Sequence, residues 1–206
     1  MPPRLRPWSR PFARRLLLPA LVASVVLFAA CAAEGPQPVV FDPSAPCPEE
    51  GQQPRAYPDL EALIPAEIDG KAPDTLDSGR SCTAEALGTL ADDGIDEMRY
   101  AGGTWPAGGS SGWTLAVFTA DGLDPVKMRA FYQAGAAAAR RSEKVVASTT
   151  TVGGVPAERL DVLMSDGTGQ TVVAWQEAGD GPVWVLLAAD VGDTRVAELL
   201  ETLGSR

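Results

Sequence analysis

The sequence predicts an α+β domain, with a single antiparallel sheet of about six strands and helices packed on it. Three observations support this class. Four apolar segments near the C-terminal end are separated by short glycine-rich turns, which favours antiparallel strands. One amphipathic helix precedes these segments and another follows them. Apolar residues form 45% of the 206 residues, which is enough for a buried core.

The predicted strands fall into two groups. A first pair, 96–101 and 113–119, is joined by the loop 102–112. The later group follows at 144–151, 155–163, 170–177 and 182–189. The segment 182–189 contains Val-Trp-Val-Leu-Leu-Ala-Ala, which is apolar at successive positions. We therefore expect this strand to lie centrally, with both of its faces covered.

Two longer helices are predicted beside short helical turns at 59–65 and 83–93. The first begins at Pro125 after the N-cap Asp124 and ends at Arg140 and Arg141. Its apolar stripe predicts contact with the sheet through Met128, Phe131, Tyr132 and Gly135, the glycine allowing close approach to a strand. The second helix runs from Asp193 to Gly204 and turns Val196, Leu199, Leu200 and Leu203 inward.

The first thirty residues have the three parts of an export signal. Five arginines lie within residues 1–15, an apolar run fills 16–30, and Cys31 follows. The apolar run is shorter than the ~20 residues that a membrane-spanning helix needs. Arg14 and Arg15 also resemble a twin-arginine signal, so the export route stays open between that system and the general secretory one.

The sequence Leu27-Phe28-Ala29-Ala30-Cys31 resembles the lipobox of bacterial lipoproteins. The resemblance implies that the Cys31 thiol is acylated, that the chain is cut before it, and that the mature protein is held at the cell membrane on its extracytoplasmic side. Membrane lipid would then be a partner through Cys31. Secretion without an anchor and an uncleaved N-terminal anchor are the alternatives.

Residues 31–58 are rich in proline, glutamate and glutamine, which predicts an extended tether between the membrane and a globular domain at 59–206. Cys47 and Cys82 are the cysteines that remain if Cys31 is acylated. An even pair in an oxidising compartment favours a disulfide between them. Two free buried thiols are the alternative.

Two further resemblances cover the domain. The segment from Val152 to Leu203 resembles small secreted lipoproteins with a PsbP-like sandwich. The opening Leu60 to Gly70, with its Ala-Leu-Ile-Pro core, is similar to a group of uncharacterised bacterial lipoproteins. Both resemblances imply an α+β fold, and neither implies a catalytic residue.

Charge and composition exclude several function classes. From residue 31 onward the chain carries 12 basic against 27 acidic residues, so it should repel nucleic acid. It contains no histidine, which removes histidine-based catalysis and nearly all zinc sites. No metal site and no cofactor are predicted.

Two sets of residues remain as candidates for function. The glycine-rich loop 102–112 contains Trp105 and is followed by Trp113, which predicts an exposed recognition loop. The alternative is that Trp105 packs on the sheet edge and that Trp113 is core. Carboxylates such as Asp121, Asp161 and Asp166 are the candidates for an unfamiliar hydrolase.

Three functions follow from these features. We favour a non-enzymatic binding or interaction module, with a structural envelope protein and a carboxylate-dependent hydrolase as alternatives. An apolar cavity between sheet and helices, wide enough for an acyl chain, would favour binding. Two carboxyl groups about 5–9 Å apart in a cleft would favour a glycosidase-like enzyme. A solid core would favour the structural protein.

Overall fold

The computed structural model of this protein describes residues 41–205. Eight strands form one sheet: β1 Gly51–Gln53, β2 Thr75–Ser81, β3 Met98–Gly108, β4 Ser111–Thr119, β5 Ser142–Val152, β6 Val155–Met164, β7 Gly169–Trp175 and β8 Val183–Ala189. The helices are α1 Pro58–Glu61, α2 Ala84–Leu87, α3 Thr89–Asp92, α4 Pro125–Ala138 and α5 Asp193–Gly204.

Every strand pair in the sheet is antiparallel, and the strand order is β1-β2-β3-β4-β8-β7-β6-β5. The predicted fold class, α+β with a single antiparallel sheet, is confirmed. Strand β8 lies between β4 and β7, in the interior of the sheet as expected. The strand number differs, because β1 and β2 were not predicted.

Strand β2 escapes prediction because its sequence, Thr-Leu-Asp-Ser-Gly-Arg-Ser, is polar. Ser78 and Arg80 are nevertheless buried in it. The Arg80 Nε donates a hydrogen bond to the Glu49 carbonyl at 2.8 Å, and the Ser78 hydroxyl donates one to Glu61 at 2.7 Å. These bonds satisfy the buried polar groups, so a strand of loop-like composition is stable inside the sheet.

Residues 41–58 belong to the folded domain, which corrects that part of the tether predicted at 31–58. Phe41 is buried, and β1 pairs with β2 in the sheet. Cys47 and Cys82 form the expected disulfide, with their Cα atoms 5.6 Å apart. The prolines of this segment therefore shape an ordered loop. The predicted signal at 1–30, Cys31 and the first part of the tether lie outside the described residues.

The two faces of the sheet carry separate cores. Side chains alternate along each strand, so that Leu115 of β4 joins one core and Ala116 joins the other. We call the first the α5 face, because α5 and α1 cover it, and the second the α4 face, because α2, α3 and α4 cover it.

Helix α5 packs as predicted. Its buried residues are Val196, Leu199, Leu200 and Leu203. At its C-terminal end Gly204 meets the turn after β5, where a Cβ on Gly204 would lie 2.1 Å from the Gly153 nitrogen. Only glycine permits this approach, because any side chain would overlap the backbone.

Helix α4 departs from prediction at two points. The Asp124 side chain caps it by accepting a hydrogen bond from the Lys127 backbone at 2.9 Å, as expected. The helix ends at Ala138, so it does not reach Arg141. Gly135 is exposed, and apart from the helix's own backbone no atom lies within 4 Å of the position that its Cβ would take, so the predicted close approach to a strand is wrong.

Candidate functional site

A groove lies between helix α4 and the sheet on the α4 face. Its volume is about 570 Å³. Strands β6, β7 and β8 supply its floor, and the α2–α3 segment supplies one wall. The large side chains that line it are Phe131, Tyr132, Leu160, Val162, Met164, Val172 and Leu187. We call this feature the α4 groove; its size falls in the range typical of small-ligand sites.

Small residues of α4 explain why the groove is open. After Tyr132 and Gln133 the helix continues Ala-Gly-Ala-Ala-Ala, and these side chains are too short to fill the space above the sheet. Ala134 and Gly135 line the groove and are exposed, so solvent reaches it. The empty volume of the groove therefore follows from the small side chains at these positions, and a leucine at one of them would fill part of it.

Two aromatic residues form one end of the α4 groove. The rings of Phe131 and Tyr132 meet edge to face, with centroids 5.5 Å apart. The Phe131 ring also lies against Gly88, the residue between α2 and α3, 3.6 Å from the position of a Cβ there. This end is held by ring contacts, whereas the alanine end of the helix lacks large side chains.

The groove contains few polar groups. Burial raises the pKa of Tyr132 to about 12, so its hydroxyl stays protonated at neutral pH. The Thr89 hydroxyl oxygen also belongs to a lining residue, is buried, and has no hydrogen-bond partner within residues 41–205. Glu85 is the one charged residue in the lining that the structure describes. The lining is therefore mostly apolar, and the Thr89 hydroxyl is buried in its wall, out of reach of a bound molecule.

A second cleft, of about 610 Å³, is polar. It is lined by acidic residues that include Asp96, Glu97 and Asp121. Glu97 is paired with Arg99 at 2.8 Å, and this hydrogen bond lowers the pKa of the Glu97 carboxyl. Within residues 41–205 no three metal-ligating side chains lie together in a way that could hold an ion.

The candidate carboxylates are not gathered in one cleft. Asp121 lines the polar cleft, whereas Asp161 lies on β6 and Asp166 in the turn after it. Burial raises the pKa of Asp161, but hydrogen bonds from Arg159 and Thr171 outweigh it and lower the pKa overall.

A hydrogen bond from the Thr168 hydroxyl lowers the pKa of Asp166. Because the carboxyls of Asp161 and Asp166 stay ionised at neutral pH, neither is placed to act as a general acid.

The structure corrects the predicted recognition loop. Residues up to Gly108 continue β3, so the connection to β4 is a tight turn at Gly109 and Ser110. Trp105 is 1% exposed, and its indole nitrogen donates a hydrogen bond to the Lys71 carbonyl at 2.9 Å. Trp105 is therefore unavailable to a partner.

Trp113 lies directly opposite Trp105 in the strand register and is buried in the same core. The Arg195 guanidinium covers its ring, 5.1 Å from the centroid. The alternative that both tryptophans are structural fits this packing. The sequence contains a signal for this packing, because Thr104-Trp105 and Trp113-Thr114 have mirrored order on either side of the turn. In the structure these residues pair with one another across β3 and β4.

No family model, curated protein or solved structure matches this chain. Among the described residues no helix is long and apolar enough to cross a membrane.

Proposed function

We propose that this protein is a membrane-anchored extracytoplasmic lipoprotein whose domain binds an apolar molecule, such as an acyl chain, in the α4 groove. The groove is the observation that carries the binding function. It is the apolar cavity between sheet and helices that distinguishes a binding module from a structural protein with a solid core. A catalytic role has less support, because the candidate carboxylates lie apart and the lining holds one carboxylate.

The lining defines the chemistry of the ligand. Its floor of Leu160, Val162 and Val172 favours an apolar body, since burial of apolar surface is the main source of affinity there. The uncharged polar residues Ser142 and Gln170 in the lining favour one uncharged hydrogen-bonding group on that body. An anionic body is disfavoured, because the lining of the described groove contains Glu85 and no lysine or arginine.

Competition with a neutral fluorescent probe tests the groove. We expect a naphthylamine probe to gain fluorescence on binding, and a long-chain alcohol to displace it. Gly135→Leu should weaken probe binding at least tenfold, because Gly135 lines the groove and a leucine side chain there would take up space that the probe needs. Val126→Leu is the matched control, since Val126 is 52% exposed on α4 and outside the groove.

The result that would overturn the binding function is equally direct. If the probe gains no fluorescence, or if Gly135→Leu and Val126→Leu bind it equally, the α4 groove is not a ligand site. Thermal unfolding of both variants shows whether each is folded, and this separates a blocked groove from a damaged protein.

The anchor rests on the residues that precede Cys31. The disulfide between Cys47 and Cys82 supports it in two ways. Disulfides persist in oxidising compartments, which fits export. The chain has three cysteines, so Cys31 is the thiol left over for acylation.

Mass spectrometry tests the anchor. The membrane-derived protein should begin at Cys31 and carry added acyl mass, and Cys31→Ser should leave an unprocessed precursor. An intact segment 1–30 in the wild-type protein would rule the lipoprotein out.

A further inference from the structure

The two edges of the sheet are built very differently. Edge strand β1 has three residues, and the disulfide-linked segment before it packs beside it through Phe41. Edge strand β5 has eleven residues and pairs with β6 alone. Along its other side the backbone N–H and C=O groups face no strand in the described part of the chain. We call the outer side of β5, from Lys144 to Thr151, the free edge.

From Val145 onward, the free edge lacks the usual protection against strand pairing. Natural edge strands carry charges, prolines or bulges that prevent another strand from adding. In β5 the one register irregularity lies between Ser142 and Lys144, at the start of the strand. From Val145 to Thr151 the sequence is Val-Val-Ala-Ser-Thr-Thr-Thr, with no charge, no proline and no glycine. Five of these seven residues are β-branched, which favours strand pairing.

Exposed side chains continue the free edge onto one face. Val146 and Leu163 are each 41% exposed. They lie diagonally across β5 and β6, because Val146 pairs with Asp161 and Leu163 with Lys144. Two of the large exposed apolar residues in the described chain therefore lie side by side at this edge.

We propose that the free edge pairs antiparallel with the β5 strand of a second copy, which joins two eight-stranded sheets into one. The charge pattern allows a second copy to pair here, because β5 is charged at one end only. In an antiparallel pair centred near Ser148, the charged end of one strand, Glu143 and Lys144, lies beside the uncharged end of the other. The two charged ends are then about 27 Å apart at ~3.4 Å per residue, so like charges do not meet. The proposal is independent of any ligand in the α4 groove.

Cysteine cross-linking in cells that produce the full chain tests this pairing. Val146→Cys, Ser148→Cys and Thr150→Cys place thiols at alternate positions on one face of β5. The position nearest the two-fold axis faces its own copy with Cβ atoms about 4.5–5.5 Å apart, close to disulfide range. We expect at least one variant to give a band of twice the chain mass on a non-reducing gel. Val126→Cys, exposed on α4, is the matched control.

A second pair of substitutions tests the edge itself. Ala147→Lys with Thr149→Lys, added to the cysteine variant that cross-links best, puts like charges at the centre of the pair. Both residues are exposed in the single copy, so the fold should be retained, which thermal unfolding checks. We expect the dimer band to fall at least tenfold. Val126→Lys, exposed on α4 and outside the groove, should leave the band unchanged.

Three results would overturn the proposal. The first is that none of the three cysteine positions gives more dimer than Val126→Cys. The second is an adduct whose mass differs from twice the chain, which would assign the edge to another protein. The third is an undiminished dimer band in the double-lysine variant.

Discussion

Each face of the sheet is covered by one long helix, but the two helices pack differently. On the α5 face, α5 buries four aliphatic side chains and meets the sheet closely enough that its last turn requires Gly204. On the α4 face, α4 buries only Met128 and leaves a groove of about 570 Å³. One face is a core, and the other is a core with a cavity.

The difference comes from side-chain volume along each helix. Helix α5 carries leucine or valine at spacings of three and four residues throughout its length. Helix α4 carries its large residues up to Gln133 and only alanine or glycine from Ala134 to its end at Ala138. The closely packed α5 face stabilises the fold. The α4 face makes fewer packing contacts and therefore has room for another molecule.

The strongest test of this comparison is Leu199→Ala on the α5 face. Leu199 is fully buried, so its truncation should lower the free energy of unfolding by about 2–5 kcal/mol. Denaturant unfolding measures the change as a lower midpoint with an unaltered slope. A loss below about 1 kcal/mol would show that the α5 face is not closely packed.

Phe131→Ala should have a smaller effect on the α4 face. Phe131 is only partly buried at one end of the groove, so we expect a loss of about 1–2 kcal/mol, less than for a fully buried phenylalanine. The same unfolding experiment measures it, with Leu199→Ala as the reference. A larger loss than for Leu199→Ala would reverse the assignment of the two faces.

Much of this fold was predictable because local signals agreed with it. The spacing of Val196, Leu199 and Leu203 predicts α5, and the glycine turns predict the strands from β5 to β8. The cysteine count pointed to the pair that forms the disulfide. Each of these signals is either a local sequence pattern or a count of cysteines, so no knowledge of tertiary contacts was needed.

The missed features depend on partners far away in the sequence. Residues 102–108 resemble a loop because of their glycines, yet they belong to a strand that pairs with β4. Residues 102–104 also pair with β2, which ends about twenty residues earlier. The α4 groove could not be predicted either. In the sequence, a glycine on the apolar side of a helix indicates close packing against a strand, whereas in the structure Gly135 lies beside open space. Volume between layers is set by the whole sheet, so no local pattern reports it.

A pH titration sharpens the comparison at the groove. Burial raises the pKa of Tyr132 from 10.0 to about 12 in the folded protein. The stability that this shift contributes is fully present below pH 10 and is lost as the pH rises toward 12, because the unfolded chain ionises first. The tyrosinate absorbance of the wild type, after subtraction of that of Tyr132→Phe, should therefore rise at a pH well above 10.0. A difference that titrates near 10 would mean that solvent reaches the hydroxyl freely.

The smallest effect is expected from Gly135→Ala, and its sign is the informative part. If Gly135 allowed close approach to a strand, as the sequence indicates, an added methyl group would clash and destabilise the domain. In the structure no atom apart from the helix's own backbone lies within 4 Å of that methyl position, and the residue is inside a regular helix.

Alanine should therefore stabilise the protein by about 0.5–1 kcal/mol, because glycine loses more backbone entropy on entering a helix. Denaturant unfolding measures this gain. A destabilised Gly135→Ala variant would show that α4 lies closer to the sheet than the groove requires, and both the cavity and the contrast between the two faces would then be lost.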